Sequence, residues 1–373
     1  MSAKESKKIV TELFEYAGVK INGDRPFDIQ VHDERFFERV MSEAFLGFGE
    51  SYMEGWWDSE RLDETVTKLA LAKLENKIKG NWKIAWHALR SRIFNLQKPS
   101  RAKEVGEKHY DIGNDLYKAM LDKRMNYTSA YWKNARDLDE AQEAKLELIC
   151  RKLQLEEGMS VLELGCGFGA FAGYAAEKYG VKVTGFTVSK NQYEYAKERY
   201  KDLPVKFYLE DYRKAEGKYD RVISIGIMEH VGYKNYRTYM EVVKRTLKSD
   251  GIGFVHTIGR NDSATTANPW LTKYIFPNGM LPSIAQLGAA MEKLFVMEDW
   301  HNFGPHYDLT LMEWYKNING AWENLGEKYD ERFKRMWNFY LLTSAAGFRA
   351  RETQLWQIVF THIGRKQPDS RVC

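Results

Sequence analysis

A run of glycines at every second position is the part of the sequence best suited to hold a ligand. Gly165, Gly167 and Gly169 follow residues 161–164, which are apolar except for Glu163, and residues 171–179 have the pattern of a helix. Without side chains the backbone can turn sharply and approach a ligand, while N–H groups at the helix start face it. The pattern therefore predicts a cofactor-binding turn between a strand and a helix. Taken alone, it could equally be a turn that only packs the helix on the strand.

A carboxylate inside this turn narrows the choice of ligand. The spacing is G-x-G-x-G rather than G-x-G-x-x-G, and Glu163 precedes the first glycine. Its charge would repel a pyrophosphate and would favour a ligand that carries an amino group. S-adenosylmethionine fits, because its amino acid part and its positive sulfonium suit an acidic rim. We assign to the cofactor-binding site Glu163, Gly165, Cys166, Gly167 and Gly169.

The residues that follow alternate between predicted strands and helices, which indicates an α/β fold with a parallel sheet. The predicted strands are residues 182–186, 205–209, 219–225 and 251–257, and the helices are residues 190–200 and 235–247. In such sheets ligands bind beyond the carboxyl ends of the strands. The candidate site residues at those ends are Thr187, Val188, Gln192, Asp211, Tyr212, Glu229 and His256.

Two of these positions bear on the identity of the cofactor. A nicotinamide dinucleotide would require an acid at the end of the second strand, where this chain has Thr187 and, one helical turn on, Gln192. The sequence thus argues against a dinucleotide. Asp211 could accept a hydrogen bond from an adenine amino group, or it could only cap a helix. The polar residues 126–132, which include Tyr127 and Thr128, precede the glycine turn and are predicted to cover the cofactor.

The charge distribution divides the N-terminal part of the chain. Residues 1–64 contain 8 Lys and Arg against 15 Asp and Glu, whereas residues 65–98 contain 8 Lys and Arg and a single acid, Glu75. Within the second segment, apolar residues recur at helical spacing over residues 81–97, among Lys83, Arg90 and Arg92. Such a basic amphipathic helix either packs its apolar face on a neighbouring domain or lies on an anionic membrane surface.

The cysteines and the apolar segments bear on the cellular compartment. Cys150, Cys166 and Cys373 are too few and too poorly spaced for a disulfide framework or a zinc site, so we expect no metal and a reducing compartment. The charged N-terminus is not followed by an apolar segment, and no uncharged apolar run reaches about 18 residues. We therefore expect a cytoplasmic protein without a membrane span.

Several motifs together resemble one family. The chain resembles the cyclopropane-fatty-acyl-phospholipid synthases, and its C-terminal part is similar to the mycolic acid cyclopropane synthases. The stretches that carry the resemblance are residues 50–57, 109–115, 127–132, 161–169, 228–232, 256–259, 274–279, 298–304 and 348–351. They extend over nearly the whole chain.

The resemblance implies a fold and a reaction. It implies a class I S-adenosylmethionine-dependent methyltransferase domain over residues 99–373, Rossmann-like with a seven-stranded and mostly parallel sheet. A smaller N-terminal α+β domain over residues 1–98 would bind lipid and the membrane. The reaction would transfer a methylene group from S-adenosylmethionine to the cis double bond of an unsaturated acyl chain in a membrane phospholipid. The enzyme would be a homodimer, peripherally associated with the inner face of the membrane.

The resemblance also implies a bound bicarbonate ion. An alkene that attacks the sulfonium methyl becomes a carbocation, so the site must be dry, lined by aromatic rings and equipped with a base. In the family that base is bicarbonate. By motif position its holders here would be Glu229, His256, Tyr307 and the backbone of Ile258.

Two positions depart from the family pattern. Ser129 stands where the family usually has a cysteine, and a serine hydroxyl can still form a hydrogen bond to bicarbonate. Ser344 stands near another frequent cysteine, which excludes thiol chemistry at that position.

Three other functions remain to be weighed. An S-adenosylmethionine-dependent enzyme could add a methyl branch to the acyl chain instead of closing a ring, and a related protein could bind lipid without catalysis. A non-catalytic protein should have lost the glycine turn or the pair Glu229 and His256, which are both present. An amino-methylating DNA enzyme would need an Asn/Asp-Pro-Pro-aromatic run after the fourth strand, where this chain has residues 226–230. We therefore expect no nucleic acid partner.

Overall fold

The computed structural model describes residues 2–74 and 113–372. The chain forms two compact units. One unit, called here the sheet unit, contains residues 117–266, 278–310 and 353–372, and the other, the helical unit, contains the described residues up to 116 together with residues 267–277 and 311–352. The basic helix expected at residues 81–97, the domain boundary expected at residue 98 and most of the motif at residues 109–115 lie outside the described residues.

Nine strands are described. The strands are β1 (Gln30–Val31), β2 (Trp57–Asp58), β3 (Ser160–Leu164), β4 (Lys182–Thr187), β5 (Val205–Leu209), β6 (Tyr219–Ile225), β7 (Leu247–Arg260), β8 (Phe295–Asn302) and β9 (Thr353–His362). β1 and β2 pair with each other, and the other strands of the described chain form one sheet in the order β5-β4-β3-β6-β7-β9-β8. Pairs from β5 to β7 are parallel, and β9 runs antiparallel to β7 and β8. The predicted seven-stranded, mostly parallel sheet is confirmed.

The α-helices of the described residues fall into two groups. Those of the sheet unit are α5 (Asn114–Met120, from residue 117 on), α6 (Leu138–Lys152), α7 (Ala170–Tyr179), α8 (Lys190–Arg199), α9 (Met228–Val231), α10 (Tyr236–Thr246), α12 (Ile284–Met291) and the first turns of α13 (Pro305–Leu325). Those of the helical unit are α1 (Ala3–Tyr16), α2 (Arg35–Glu43), α3 (Phe45–Met53), α4 (Leu62–Leu71), α11 (Pro269–Tyr274) and α14 (Glu331–Arg349). None of them is both long and apolar enough to cross a membrane.

The sheet unit has an apolar core on each face of its sheet. Val161 and Ile223 belong to one buried cluster, which includes residues of α6 and α7, whereas Leu162 and Val222 belong to another, which includes residues of α10 and α12. Successive residues of a strand point to opposite faces, so helices cover both sides of the sheet. Within the sheet, β4 and β5 lie to one side of β3. The chain then returns past β3, and β6 pairs with the opposite edge of β3. Ligands of such folds bind at this reversal, beyond the ends of β3 and β6.

The helical unit is packed with aromatic side chains. Trp57 stacks on Phe48 with ring centroids 4.3 Å apart, and Phe339 of α14 lies 5.9 Å from Phe48. A buried carboxylate, Glu50, accepts hydrogen bonds from Lys273 at 2.5 Å and from Tyr274 at 2.7 Å. The motif residues 50–57 and 274 thus belong to the internal packing of this unit.

Most predicted elements agree with the structure within a few residues, and the largest difference is at α1. The pattern of residues 9–17 predicts a helix there, but α1 begins at Ala3 because the Ser2 hydroxyl caps it by accepting from the Glu5 N–H at 3.3 Å. β7 is also longer than predicted at both ends.

Candidate active site

The glycine turn is built as the sequence predicts. It joins β3 to α7, and Gly165, Gly167 and Gly169 all have positive φ angles, of 78°, 54° and 80°. This conformation favours glycine. A Cβ atom at Gly165 would meet Ile227 at 2.9 Å, whereas one at Gly167 would meet no atom within 4 Å. The open side of the turn is therefore at Gly167, where a ligand can approach the backbone.

Glu163 is a buried carboxylate at the end of β3. It is 2% exposed, and its Oε2 atom has no hydrogen-bond partner within the described residues. Burial raises the pKa of Glu163 to about 8. The unsatisfied Oε2 atom lies beside the glycine turn, and its contact with the amino group of the cofactor stays a prediction.

The predicted cofactor-site residues beyond β4 and those beyond β5 form two separate sets of contacts. The Thr187 hydroxyl donates to Gln192 Oε1 at 3.2 Å, and Val188 is exposed. Asp211 caps the short 3-10 helix Tyr212–Lys214 and pairs with Arg213 at 2.8 Å, and its hydrogen bonds to Arg213 lower the pKa of Asp211. The capping role left open for Asp211 is thus observed, and its contact with adenine stays a prediction.

The loop that carries Tyr127 and Thr128 lies beside the glycine turn. Tyr127 packs on Tyr117 at 5.2 Å between ring centroids, and Tyr117 packs on Phe168 of the turn at 5.7 Å. Thr128 lies so close to the end of β6 that a Cβ on Gly226 would come within 2.9 Å of its Cγ2. The structure therefore brings together the two segments that the sequence assigns to the cofactor.

Glu229 follows β6 on α9 and is turned toward β7. Its Oε1 accepts a hydrogen bond from the Ile258 N–H at 2.6 Å. Its Oε2 has no partner within the described residues, although the side chain is only 8% exposed. Burial raises the pKa of Glu229 to about 7. Because Ile258 already donates to Glu229, its predicted backbone contact with bicarbonate would require Glu229 to release that bond.

His256 lies on the same face of β7 as Ile258, two residues along. It is 1% exposed, and burial lowers its pKa well below 6.5, so the ring is neutral. The Gln357 amide nitrogen lies 3.4 Å from Nδ1. With Nδ1 accepting that bond, Nε2 carries the proton, and within the described residues it has no partner. Glu229 and His256 thus each present one unsatisfied polar atom in the interior.

Contacts between the loop of residues 126–132 and the start of α13 position both Ser129 and Tyr307. Ser129 is buried and donates to the Ala130 carbonyl at 3.0 Å. The Ala130 N–H donates to Thr310 Oγ1 at 3.0 Å, which fixes the loop to the first turns of α13, where buried Tyr307 lies. Phe303, just before α13, has its ring 6.0 Å from that of His256. The candidate catalytic residues therefore line one buried region.

Sequence reasoning missed several residues of this region. The rings of Tyr131, His301, Phe303 and His306 pack on one another at centroid distances of 4.9–6.1 Å. Behind them, buried Lys152 donates to Asp299 at 3.1 Å. These residues lie in or beside the motifs that carry the family resemblance. Those motifs are the sequence signal that could have identified them. Within the described residues no group of three His, Cys, Asp or Glu side chains could hold a metal ion.

Comparisons with known proteins give one matching family model and several similar proteins. A family model described as mycolic acid cyclopropane synthetase matches residues 97–358. The chain is 50% identical over 354 residues to the cyclopropane-fatty-acyl-phospholipid synthase of Escherichia coli K12, covering 95% of this chain and 93% of that protein. It is 33% identical to a probable fatty acid methyltransferase of Mycobacterium tuberculosis, covering 74% of this chain and 66% of that protein.

Among solved structures, the mycolic acid cyclopropane synthase CmaA1, complexed with S-adenosylhomocysteine (SAH) and CTAB, superimposes with a TM-score of 0.61. It is 30% identical in sequence, and the match covers 68% of this chain and 95% of that one. The expected class I methyltransferase fold is confirmed.

Proposed function

This chain belongs to the mycolic acid cyclopropane synthetase family, and we propose that it is a cyclopropane-fatty-acyl-phospholipid synthase. As an S-adenosylmethionine-dependent methyltransferase of this kind, it transfers a methylene group to the cis double bond of an unsaturated acyl chain in a membrane phospholipid. The observation that carries the proposal is that Glu229 and His256, at the neighbouring ends of β6 and β7, are buried with one unsatisfied polar atom each. The likeness to the Escherichia coli enzyme over nearly the whole chain supports it.

The residues suit a reaction that passes through a carbocation. S-adenosylmethionine supplies the methyl group on a positive sulfonium. The rings of Tyr131 and Phe303, which pack edge to face with centroids 5.4 Å apart, would help to exclude water and to stabilise a cation. The unsatisfied Glu163 Oε2 would attract the amino group of the cofactor, and the glycine turn would approach its amino acid part.

The proposal includes bicarbonate, which would supply the base that removes the proton. The two unsatisfied atoms fit this ion: the neutral His256 ring presents a donor, and Glu229 can accept from the hydroxyl of the ion when ionised. The Tyr307 hydroxyl and Ser129 would complete its surroundings. The pKa of about 7 leaves Glu229 partly ionised at neutral pH. The homodimer and the association with the inner face of the membrane are also part of the proposal.

Mass spectrometry of the lipids of a host that expresses the chain tests the proposed function. Unsaturated phospholipid acyl chains should gain about 14 mass units, the mass of one CH₂ group. Cells that express Gly167→Val in place of the unmodified chain provide the control. Unchanged acyl chains in cells with abundant folded protein would contradict the proposal.

A methyl-branching reaction is the second candidate function. It is favoured by the 33% identity to a probable fatty acid methyltransferase. Both reactions use the same cofactor and acyl chain, and they differ in which carbon loses the proton. The fate of the hydrogens of the transferred methyl group therefore separates them.

Replacement of Ser129 tests whether it takes the place of the family cysteine. We expect Ser129→Ala to lower turnover by about 1.5–3 kcal/mol, or roughly 10- to 150-fold, because one hydrogen bond to an ion would be lost. Ser129→Cys should retain substantial turnover. Initial rates on vesicles of unsaturated phospholipid measure both variants. Full activity of Ser129→Ala would mean that this hydroxyl does not contact the ion.

The basic segment at residues 65–98 is proposed to bind anionic membranes. Each Lys or Arg near such a surface adds about 1 kcal/mol, and the attraction weakens with salt. Replacing Lys83, Arg90 and Arg92 by Gln should therefore reduce co-sedimentation with anionic vesicles. Replacing the exposed Lys178, Lys182 and Lys197 removes the same charge and should have little effect. Equal loss in both triple variants, or binding that ignores salt and lipid charge, would contradict the proposal.

A further inference from the structure

One side of the loop of residues 126–132 is held by helix α6. The Gln142 amide donates to the Thr128 carbonyl at 2.8 Å, and the Lys145 ammonium donates to Asn126 Oδ1 at 2.8 Å. Gln142 and Lys145 are both completely buried. The part of the loop that they fix is the part that the sequence assigns to the cofactor.

The other side of the loop, which begins at Ser129, is held by the first turns of α13. The Ala130 N–H donates to Thr310 Oγ1 at 3.0 Å, and the Trp132 indole N–H donates to the same oxygen at 3.0 Å. The Trp132 backbone N–H donates to His306 Nδ1 at 2.9 Å. Three hydrogen bonds therefore join this side of the loop to two side chains of α13.

His306 makes its contact with the loop as a neutral imidazole. A backbone N–H can only donate, so Nδ1 accepts and the ring proton is on Nε2. Burial lowers the pKa of His306, so the ring stays neutral at pH 7. The ring also packs on those of Tyr131 and Phe303, with centroids 5.0 and 5.5 Å away. The acceptor and the ring are thus two separable features of this side chain.

Thr310 lies one helical turn after His306 and is completely buried. Its hydroxyl donates to the His306 carbonyl at 2.7 Å, which leaves the lone pairs of the oxygen for the two N–H groups of the loop. Tyr307 lies between these two residues on α13. The segments that carry Ser129 and Tyr307 are therefore bonded directly to each other.

We propose that His306 and Thr310 are positioning residues of the proposed reaction, which keep Ser129 and Tyr307 in place for the bicarbonate ion by bonding the loop to α13. The inference rests on the proposed function, because it takes the reaction and the ion from there. It adds that the two attachments of the loop serve different steps. The attachment to α6 serves cofactor binding, and the attachment to α13 serves turnover.

Two substitutions of His306 separate its hydrogen bond from its ring packing. His306→Asn removes the ring but keeps an acceptor, because the asparagine Oδ1 stands at the same position along the side chain as Nδ1. His306→Phe keeps a ring and removes the acceptor. We expect His306→Phe to lower turnover on vesicles of unsaturated phospholipid by about 10- to 100-fold, because the loss of this bond lets the loop shift. His306→Asn should retain most of the turnover.

The same contrast is available at Thr310. Thr310→Val removes the hydroxyl at nearly constant volume and should lower turnover, whereas Thr310→Ser should retain it. In all four variants the affinity for S-adenosylhomocysteine, measured by calorimetry, should be unchanged, because α6 still holds Asn126 and Thr128. Unchanged binding also shows that the variants are folded.

Hydrogen exchange at the Trp132 amide gives a readout that does not depend on activity. This N–H should exchange faster in His306→Phe than in the unmodified protein, and at nearly the unmodified rate in His306→Asn. Full turnover of His306→Phe, equal losses of turnover in both His306 variants, or parallel losses of turnover and cofactor affinity would overturn the inference. If the unmodified protein converts no acyl chain, the proposed function itself fails, and this inference fails with it.

Discussion

Glu229→Gln is expected to lower turnover by about 10²- to 10³-fold, the usual effect of removing one preorganised polar group from a reaction site. The amide oxygen of glutamine can still accept from the Ile258 N–H, which now bonds to Glu229 at 2.6 Å. The –NH₂ group then replaces the unsatisfied Oε2 atom, so an acceptor in the pocket becomes a donor. The affinity for S-adenosylmethionine should change much less, because other residues hold the cofactor.

The control for this variant is the same substitution at another carboxylate of the sheet unit. Glu147 accepts hydrogen bonds from the hydroxyls of Tyr174 at 3.0 Å and Tyr179 at 2.8 Å. Neither ring belongs to the candidate site, so Glu147→Gln should retain turnover. Full turnover of Glu229→Gln under the same conditions would contradict the role of Glu229.

Thermal unfolding of Glu229→Gln separates lost chemistry from lost structure. Burial raises the pKa of Glu229 to about 7 from a usual 4.5, so the native state holds a proton that the unfolded chain releases between these values. This contribution favours folding at low pH and is lost as pH rises through about 7. Glutamine does not titrate, so the variant has no such pH-dependent loss of stability. The stability of the variant relative to the unmodified protein should therefore rise between about pH 4.5 and pH 7 and stay level above that. A relative fall over this range would mean that Glu229 is buried as a paired charge.

Gly167→Val is expected to abolish detectable binding of S-adenosylmethionine while the protein remains folded. Gly167 has a φ angle of 54°, and a Cβ there would meet no protein atom within 4 Å. A valine would therefore project into the open space that the proposal gives to the cofactor. The unfavourable backbone conformation should lower stability by about 1–3 kcal/mol. Calorimetric titration with S-adenosylhomocysteine measures the loss of binding.

Gly158→Val is a matched control for this prediction. Gly158 also has a positive φ angle, of 83°, and open space around its Cβ position, but it precedes β3 rather than following it. The same backbone strain should appear at this site, without any effect on binding. Unchanged affinity in Gly167→Val, or equal loss of affinity in both variants, would count against the glycine turn as the cofactor site.

Much of the sheet unit could be predicted because its signals are local. The strands β4, β5 and β6 are short segments rich in β-branched and aromatic residues, and each lies within one residue of its predicted bounds. The start of α1 was missed because its first residues are charged and carry no apolar pattern, while its cap is a single hydroxyl. Aromatic residues make up 14% of the chain, and much of this aromatic content is core: Trp57, Trp270, Trp314, Trp337 and Trp356 are fully buried.

The candidate site could be predicted only where motifs mark it. Glu229, His256 and the glycine turn stand in such motifs. Buried Lys145 of α6, which donates to Asn126 and Thr128 in the loop beside the glycine turn, could not be found, because a lysine on a helix is usually exposed. The bond between the Ile258 N–H and Glu229 is likewise a product of tertiary structure, since it joins residues of two neighbouring strand ends. The pKa shifts of Glu229 and His256 follow from the burial of these side chains, which the periodicity of the sequence alone does not reveal.

The fate of a labelled methyl group tests the central claim most directly. The purified protein would be incubated with vesicles of unsaturated phospholipid and S-adenosylmethionine whose transferable methyl carries three deuterium atoms. Ring closure requires that the base remove one hydrogen from that methyl group, so the cyclopropane product should retain two of the three deuterium atoms. A product that retains all three would show that the proton leaves another carbon, as in methyl branching, and would contradict the proposed function.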